Sequence, residues 1–267
     1  MLVQPRVAER SIGIVLSAGG LRGAAHLGVL RKIIRHHIPI DVMVGVSAGA
    51  IIAAFYAGAG LSVEDMIDEA PTFRGRHIVM HGLAVRAHPR LKGMLRPFCG
   101  IIPQRLEQLE AASFTALHHG VRRLGIVCHD VDRRTPRYFS TGETCGVRLS
   151  DVARASAAVP GVLPPKTMTI GAETVRLADG GLSDSLPVDF ARAMGATHVI
   201  VSDCRYVAAT CPPLDESAAY IRPDLGGIRP LRAPRTALMK AVWRGEAAVT
   251  REVIAWIERW IRVPVAS

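Results

Sequence analysis

The sequence predicts an α/β fold, a doubly wound and mostly parallel sheet flanked by helices, with its working edge at the C-terminal ends of the strands. Two observations carry this expectation. Short β-branched runs alternate with helix-patterned stretches along most of the chain. The first two of those runs each end in a glycine-rich turn that opens onto an alanine-rich stretch of helical spacing. With 267 residues, 49% hydrophobic and 21% charged, the chain can bury a sizeable core as one large domain, and disorder is not expected.

Taken in order, strands are expected at 12–16, 42–46, 124–129 and 199–203, with weaker patterning at 137–140, 168–170 and 174–177. Helices are expected at 23–36, 47–59, 63–70, 103–109, 150–158 and 187–194, and a last long one at 236–261. There is no internal repeat. Residues 42–63 are uncharged and long enough to span a bilayer. Val42, Val44 and Val46 nevertheless read as a strand, and Gly45 and Gly49 bracket a serine, so strand, turn and helix is the reading and no transmembrane helix is expected. The start, with Glu9 and Arg10 before a short apolar run, lacks the order of a secretory signal. Five cysteines (Cys99, Cys128, Cys145, Cys204, Cys211) form no CxxC pair and have no histidine at zinc-ligand spacing. A reducing, cytoplasmic setting without metal or other cofactor is expected.

The formal net charge of +10 points to an anionic partner. No nucleic-acid recognition motif is present, which favours a phospholipid surface and a peripheral place at the inner membrane face. Residues 72–102 interrupt the strand–helix rhythm. They mix Arg74, Arg76, Arg86, Arg90, Lys92 and Arg96 with Ile78, Val79, Met80, Leu83, Leu91, Met94, Leu95 and Phe98, without one acidic residue. Such a segment is either a helical hairpin packed by its apolar side or a flap-like insertion touching anionic lipid. The last helix carries Val253, Ile254, Trp256, Ile257, Trp260 and Ile261 at helical spacing, which suits packing onto the sheet, with membrane contact through the tryptophans as the alternative.

Gly45-Val46-Ser47-Ala48-Gly49 is a G-x-S-x-G set at a strand-to-helix junction. Glycines two residues either side of a serine permit a sharp, strained turn that projects the hydroxyl, so Ser47 is the candidate nucleophile. A serine needs a base and its ester needs donors for the oxyanion. Gly19, Gly20, Leu21, Arg22 and Gly23 follow the first strand at the same sheet edge and are the candidate donors. The same loop fits a dinucleotide poorly, because Ala18 stands at the first fingerprint position and Asp41 precedes the second strand instead of ending it. No Gly-Lys-Ser/Thr is present for a Walker loop. Asp179-Gly180-Gly181 follows an expected strand; from spacing alone it is either a base delivered by that strand or a turn whose aspartate caps its own backbone. A late histidine, His198, leaves a Ser-His-Asp esterase open as an alternative.

Four blocks in order resemble the patatin-like phospholipases: SAGGLRGAAHLGVL at 17–30, GVSAGAI at 45–51, ARASAAVPGVLPP at 153–165 and LADGGLSDSLPV at 177–188. The resemblance implies a patatin-like three-layer sandwich with a nucleophile elbow, and a lipid acyl hydrolase working through a Ser-Asp dyad without metal. On that pattern Ser47 is the nucleophile, Asp179 the base flanked by Gly180 and Gly181, and the loop Gly19 to Gly23 the oxyanion hole. It also implies a catalytic domain over 11–203, with 1–10 an N-terminal extension and 204–267 a C-terminal loop and helix packing on the same domain. Arg22 falls on the family's basic position, where it either braces the loop or approaches the lipid phosphate. Two departures stand out. Ala18 replaces the first glycine of the family's triplet, and Asp184 adds a carboxylate near Asp179 that would raise its pKa or change the substrate. A catalytically silent lipid-binding module on the same fold is the other alternative.

Overall fold

The computed structural model describes residues 10–143, 146–207, 215–232 and 236–262. The expected N-terminal extension, apart from Arg10, and Cys145 and Cys211 lie outside them. One sheet organises the chain, in the order β5-β6-β3-β2-β1-β7-β8 with β4 also paired to β3. The strands are β1 (Ile12–Leu16), β2 (Val42–Val46), β3 (Arg123–Asp130), β4 (Thr135–Ser140), β5 (Lys166–Ile170), β6 (Glu173–Asp179), β7 (His198–Ser202) and β8 (Ala218–Ile221). β3, β2, β1, β7 and β8 are parallel to their neighbours, whereas β4 and β6 run antiparallel to β3, and β5 antiparallel to β6. This mixed but mostly parallel sheet is the expected class. The antiparallel pairs depart from strict alternation because four residues between β3 and β4, and two between β5 and β6, are too few for a crossover helix.

The helices are α1 (Ala24–Arg35), α2 (Ala48–Ala53), α3 (Val63–Glu69), α4 (Gly75–Arg86), α5 (Pro89–Leu95), α6 (Ile102–Gln108), α7 (Leu149–Ser156), α8 (Val188–Ala193), α9 (Ala237–Ala248) and α10 (Arg251–Arg262). Ile14, Leu16, Met43, Ile126 and Ile200 face the larger core, which α1, α2, α7, α9 and α10 close; Val15, Val44, Val46, Val127 and Val201 face a smaller one closed by α8. Three layers result. β-branched residues dominate the second face because strand side chains alternate, which puts each valine-rich set on one side.

The uncharged stretch 42–63 is the expected strand, turn and helix: β2, a turn and α2, which continues as a π-helical turn at Ala54–Gly58. Two expectations are corrected. The single last helix is two, because Val249 leaves helical geometry (φ −85°, ψ 83°) before α10. β8, a short Ala218–Ile221 edge strand, was not expected. No helix among the described residues is long and apolar enough to cross a membrane.

α1 and α9 meet at backbone distance. A Cβ on Gly28 would fall on the Val242 carbonyl oxygen, and one on Gly245 on the Ala25 carbonyl oxygen. Glu246 on α9 then pairs with Arg31 and Arg35 on α1. Gly28→Ala and Gly245→Ala should each destabilise the protein by about 2–3 kcal/mol, a drop in Tm of several degrees in thermal unfolding, since two helix backbones must part to admit a methyl group.

Candidate active site

β2 and β6 approach each other along the same side of β3. Val46, the last residue of β2, pairs with Val127, while Asp179, the last of β6, pairs with the next residue, Cys128. Both chains must turn away at that junction, and they deliver Ser47 and Asp179 side by side. Ser47 Oγ donates to Asp179 Oδ2 at 2.6 Å. Both residues are buried, Ser47 at 5% exposure and Asp179 at 6%.

The turn at Ser47 is strained, with φ 55° and ψ −118° in a non-glycine residue. Gly45 and Gly49 make it possible: a Cβ on Gly45 would meet the Gly49 carbonyl, and one on Gly49 the Leu16 carbonyl at the end of β1. Ser156, on α7, holds the turn from behind. Its Oγ accepts from the Ser47 N–H at 2.9 Å and donates to the Val127 carbonyl at 2.6 Å, which ties the end of β2 to β3 at the junction. Sequence reasoning did not single out Ser156, although it lies inside the 153–165 block.

Asp179 is held as firmly. Its N–H donates to the Ala158 carbonyl at 3.1 Å and its Oδ1 accepts from Gly181 N–H at 2.8 Å. A Cβ on Gly180 would strike the Val127 carbonyl, so only glycine follows the aspartate here. The aspartate therefore caps its own turn and faces Ser47 at once. Burial raises its pKa to about 6, against the opposing hydrogen bonds from Ser47 and Gly181. Asp184 is not the cause: it accepts from Tyr138 Oη at 3.0 Å and Leu186 N–H at 3.4 Å.

The loop after β1 approaches this pair from the far side. Gly23 lies against the first residue of α2, where a Cβ would stand 2.6 Å from that of Ala48. Gly20 takes φ +56°, and a Cβ there would strike the Pro230 carbonyl. Not every expected donor is free. Leu21 N–H donates to the Pro230 carbonyl at 2.7 Å and Arg22 N–H to the Gly19 carbonyl at 3.2 Å, so neither can serve an oxyanion. The N–H groups of Gly19 and Gly20 have no partner among the described residues. Ala18 fits where the family has glycine because Gly181 opposite it has no side chain: a Cβ there would come 3.0 Å from the Ala18 methyl.

The patatin-like phospholipase model matches residues 14–192. The chain belongs to the patatin-like phospholipase family. Among its relatives, lysophospholipase nte1 of Aspergillus fumigatus is 30% identical over 210 residues, covering 74% of this chain and 12% of the relative. An uncharacterized NTE family protein of Mycobacterium tuberculosis is 29% identical over 202 residues, covering 75% of this chain and 31% of that one. The chain thus spans less than a third of the length of these curated relatives. Among solved structures, VipD from Legionella pneumophila superposes with a TM-score of 0.59 at 15% identity over 94% of this chain and 67% of VipD; the type III effector ExoU gives 0.50 at 14% over 95% and 54%.

Within this patatin-like frame, Arg22 braces and does not reach outward. It is 7% exposed; Nε donates to the Cys204 carbonyl at 2.8 Å, Nη1 to those of Leu225 at 2.9 Å and Ile228 at 3.0 Å, and Nη2 to that of Arg205 at 3.2 Å. His198 is remote. It opens β7 beside Ile12, some five residues or roughly 17 Å below the Ser47 end of the sheet, and packs at a tilt against Trp260. The Ser-His-Asp alternative has no histidine at Ser47. Among the described residues, no three His, Cys, Asp or Glu side chains gather as a metal site would require.

The buried carboxylate also sets a stability prediction. Because the fold raises the Asp179 pKa from its ordinary value to about 6, the stability lost to its ionisation is absent below about pH 4, grows as pH rises and is complete above about 6, where it amounts to about 3 kcal/mol. Asp179→Asn should therefore raise Tm by several degrees at pH 8 and leave it nearly unchanged at pH 4, as measured by differential scanning calorimetry.

Proposed function

We propose that this chain hydrolyses acyl ester bonds of phospholipids or related lipids, with Ser47 as nucleophile and Asp179 as general base. The observation that carries the reading is the 2.6 Å hydrogen bond from a strained, buried serine to a buried aspartate. The lysophospholipase names among its relatives support the substrate class. As Ser47 Oγ attacks the ester carbonyl, its proton passes to Asp179 Oδ2, and the oxyanion receives the N–H groups of Gly19 and Gly20. Collapse expels the alcohol, which takes the proton from Asp179. Water then attacks the acyl-enzyme, with Asp179 again accepting a proton, and collapse returns that proton to Ser47 Oγ as the fatty acid leaves. Residues 11–203 are the catalytic domain in this reading, with 204–267 completing the oxyanion loop.

The same reading gives residues 72–102 a place on the lipid. The segment is a helical hairpin, α4 and α5, ending in a 3₁₀ turn at Arg96–Cys99. Six of the twelve exposed large hydrophobic side chains among the described residues lie on it: Val79, Leu83, Val85, Leu91, Met94 and Phe98. No acid occurs between Glu69 and Glu107. Apolar anchors within a purely basic field match an anionic bilayer, held peripherally. α4 also starts at the oxyanion loop, where Gly75 lies against the Leu21 side chain, and crosses to the loop beside Asp179, where Gly82 lies against the Val162 carbonyl.

With a chromogenic short-chain ester, Ser47→Ala and Asp179→Asn should each lower kcat by at least about a thousandfold, while His198→Ala stays within about twofold of wild type. Equal rates for wild type and Ser47→Ala would instead favour a silent lipid-binding module. Since Asp179 must be ionised to accept the proton, kcat/KM should climb about tenfold per pH unit up to about pH 6 and then level off. In flotation assays the protein should rise with anionic vesicles at low salt and stay behind with neutral vesicles or at high salt. Absence of co-migration with anionic vesicles would remove the membrane part of the reading.

A further inference from the structure

His26 is a buried imidazole that the reaction does not use. It sits on α1 with no exposed surface. Its Nε2 lies 3.0 Å from the Ser17 carbonyl oxygen and its Nδ1 lies 2.8 Å from Ser202 Oγ, with Cys204 Sγ at 3.4 Å. A carbonyl can only accept, so Nε2 carries the proton and Nδ1 accepts from the Ser202 hydroxyl. Burial agrees with this neutral form, pushing the imidazole pKa down to about 4.

What His26 grips is the hinge of the glycine loop. Ser17 is the residue after β1, and its peptide unit with Ala18 is held at both ends: the Ser17 carbonyl by His26 Nε2–H, the Ala18 N–H by the Ser185 carbonyl at 3.1 Å. Ser17 Oγ, in turn, accepts from Cys204 N–H at 2.8 Å and donates to the Ala18 carbonyl at 3.0 Å. That last bond is decisive for direction. The Ala18 carbonyl and the Gly19 N–H belong to one planar trans peptide, so anchoring the oxygen aims the N–H the opposite way. The next peptide is treated alike, since the Gly19 carbonyl accepts from Arg22 N–H and leaves the Gly20 N–H pointing outward.

We infer that His26 is a positioning residue for the oxyanion hole, acting through Ser17 to aim the Gly19 N–H. The inference rests on the assignment of Gly19 and Gly20 as oxyanion donors. His26 touches neither substrate nor Ser47, so its removal should weaken transition-state stabilisation and leave ground-state binding alone.

Three variants test this on a soluble chromogenic ester. His26→Leu fills the volume without a donor; His26→Gln can place an amide N–H where Nε2–H stood; His26→Asn offers its amide only near the Nδ1 position. His26→Leu should lower kcat about 10- to 100-fold with KM within about twofold, and weaken binding of a boronic acid, whose tetrahedral adduct carries the oxyanion, by a similar factor. His26→Gln should recover most of both losses, and His26→Asn little. A His26→Leu variant with wild-type kcat, or Gln and Asn variants that behave alike, would overturn the inference. If His26→Leu does not fold, the Gln and Asn pair decides it alone. Ser47→Ala run alongside keeps the two levels apart: hydrolysis surviving in Ser47→Ala sinks the whole site reading, whereas a dead Ser47→Ala beside an unaffected His26→Leu sinks only the role of His26.

Discussion

The site depends on two strands that meet head-on beside a third. β2 and β6 occupy the same side of β3 in opposite directions, and Val46 and Asp179 oppose consecutive residues of it. Neither strand can continue, and both chains must leave the sheet within one residue. The positive φ of Ser47, the glycines at 45, 49 and 180, and the bridging hydroxyl of Ser156 are answers to that single crowding problem. The crowding also dries the junction. A carboxylate held there is poorly hydrated, which is what lifts Asp179 towards neutrality and makes it a better proton acceptor than an aspartate on the surface.

Costly features gather at this edge of the molecule. A strained serine, a buried carboxylate, two N–H groups without a partner among the described residues and a hairpin of exposed leucine, methionine and phenylalanine all lie on or next to it. Elsewhere the fold is conservative. Valines and isoleucines fill both faces of the sheet, α1 and α9 lock at glycine contact, and Arg31 and Arg35 converge on Glu246. Proteins commonly concentrate strain where chemistry is done and offset it with dense packing at a distance.

Much of this was legible in the residues. The runs at 12–16 and 42–46 are uninterrupted and β-branched, and the strands match them end for end. G-x-S-x-G announced a sharp turn because the glycine spacing is local information. Asp179-Gly180-Gly181 was ambiguous in sequence for a sound reason: the carboxylate caps its own turn with Oδ1 and meets Ser47 with Oδ2, so both readings describe it. What stayed hidden depends on partners far along the chain. Leu21 is lost as a donor to Pro230, over two hundred residues away, and nothing in GLRG foretells it. β8 is four residues of ordinary composition that become a strand only because β7 offers an edge. The break at Val249 is equally silent, since the apolar spacing carries on across it.

Arg22 has one more implication. Its four carbonyl acceptors belong to Cys204, Arg205, Leu225 and Ile228, and the acceptor for its neighbour Leu21 is Pro230, all beyond residue 192 where the family match ends. A chain cut at that boundary would keep both Ser47 and Asp179 and every recognisable motif. It would lack the carbonyls that shape the glycine loop, and a guanidinium would be left without acceptors beside it. Residues beyond the family match are thus part of the foundation of the glycine loop, which the motifs alone do not reveal.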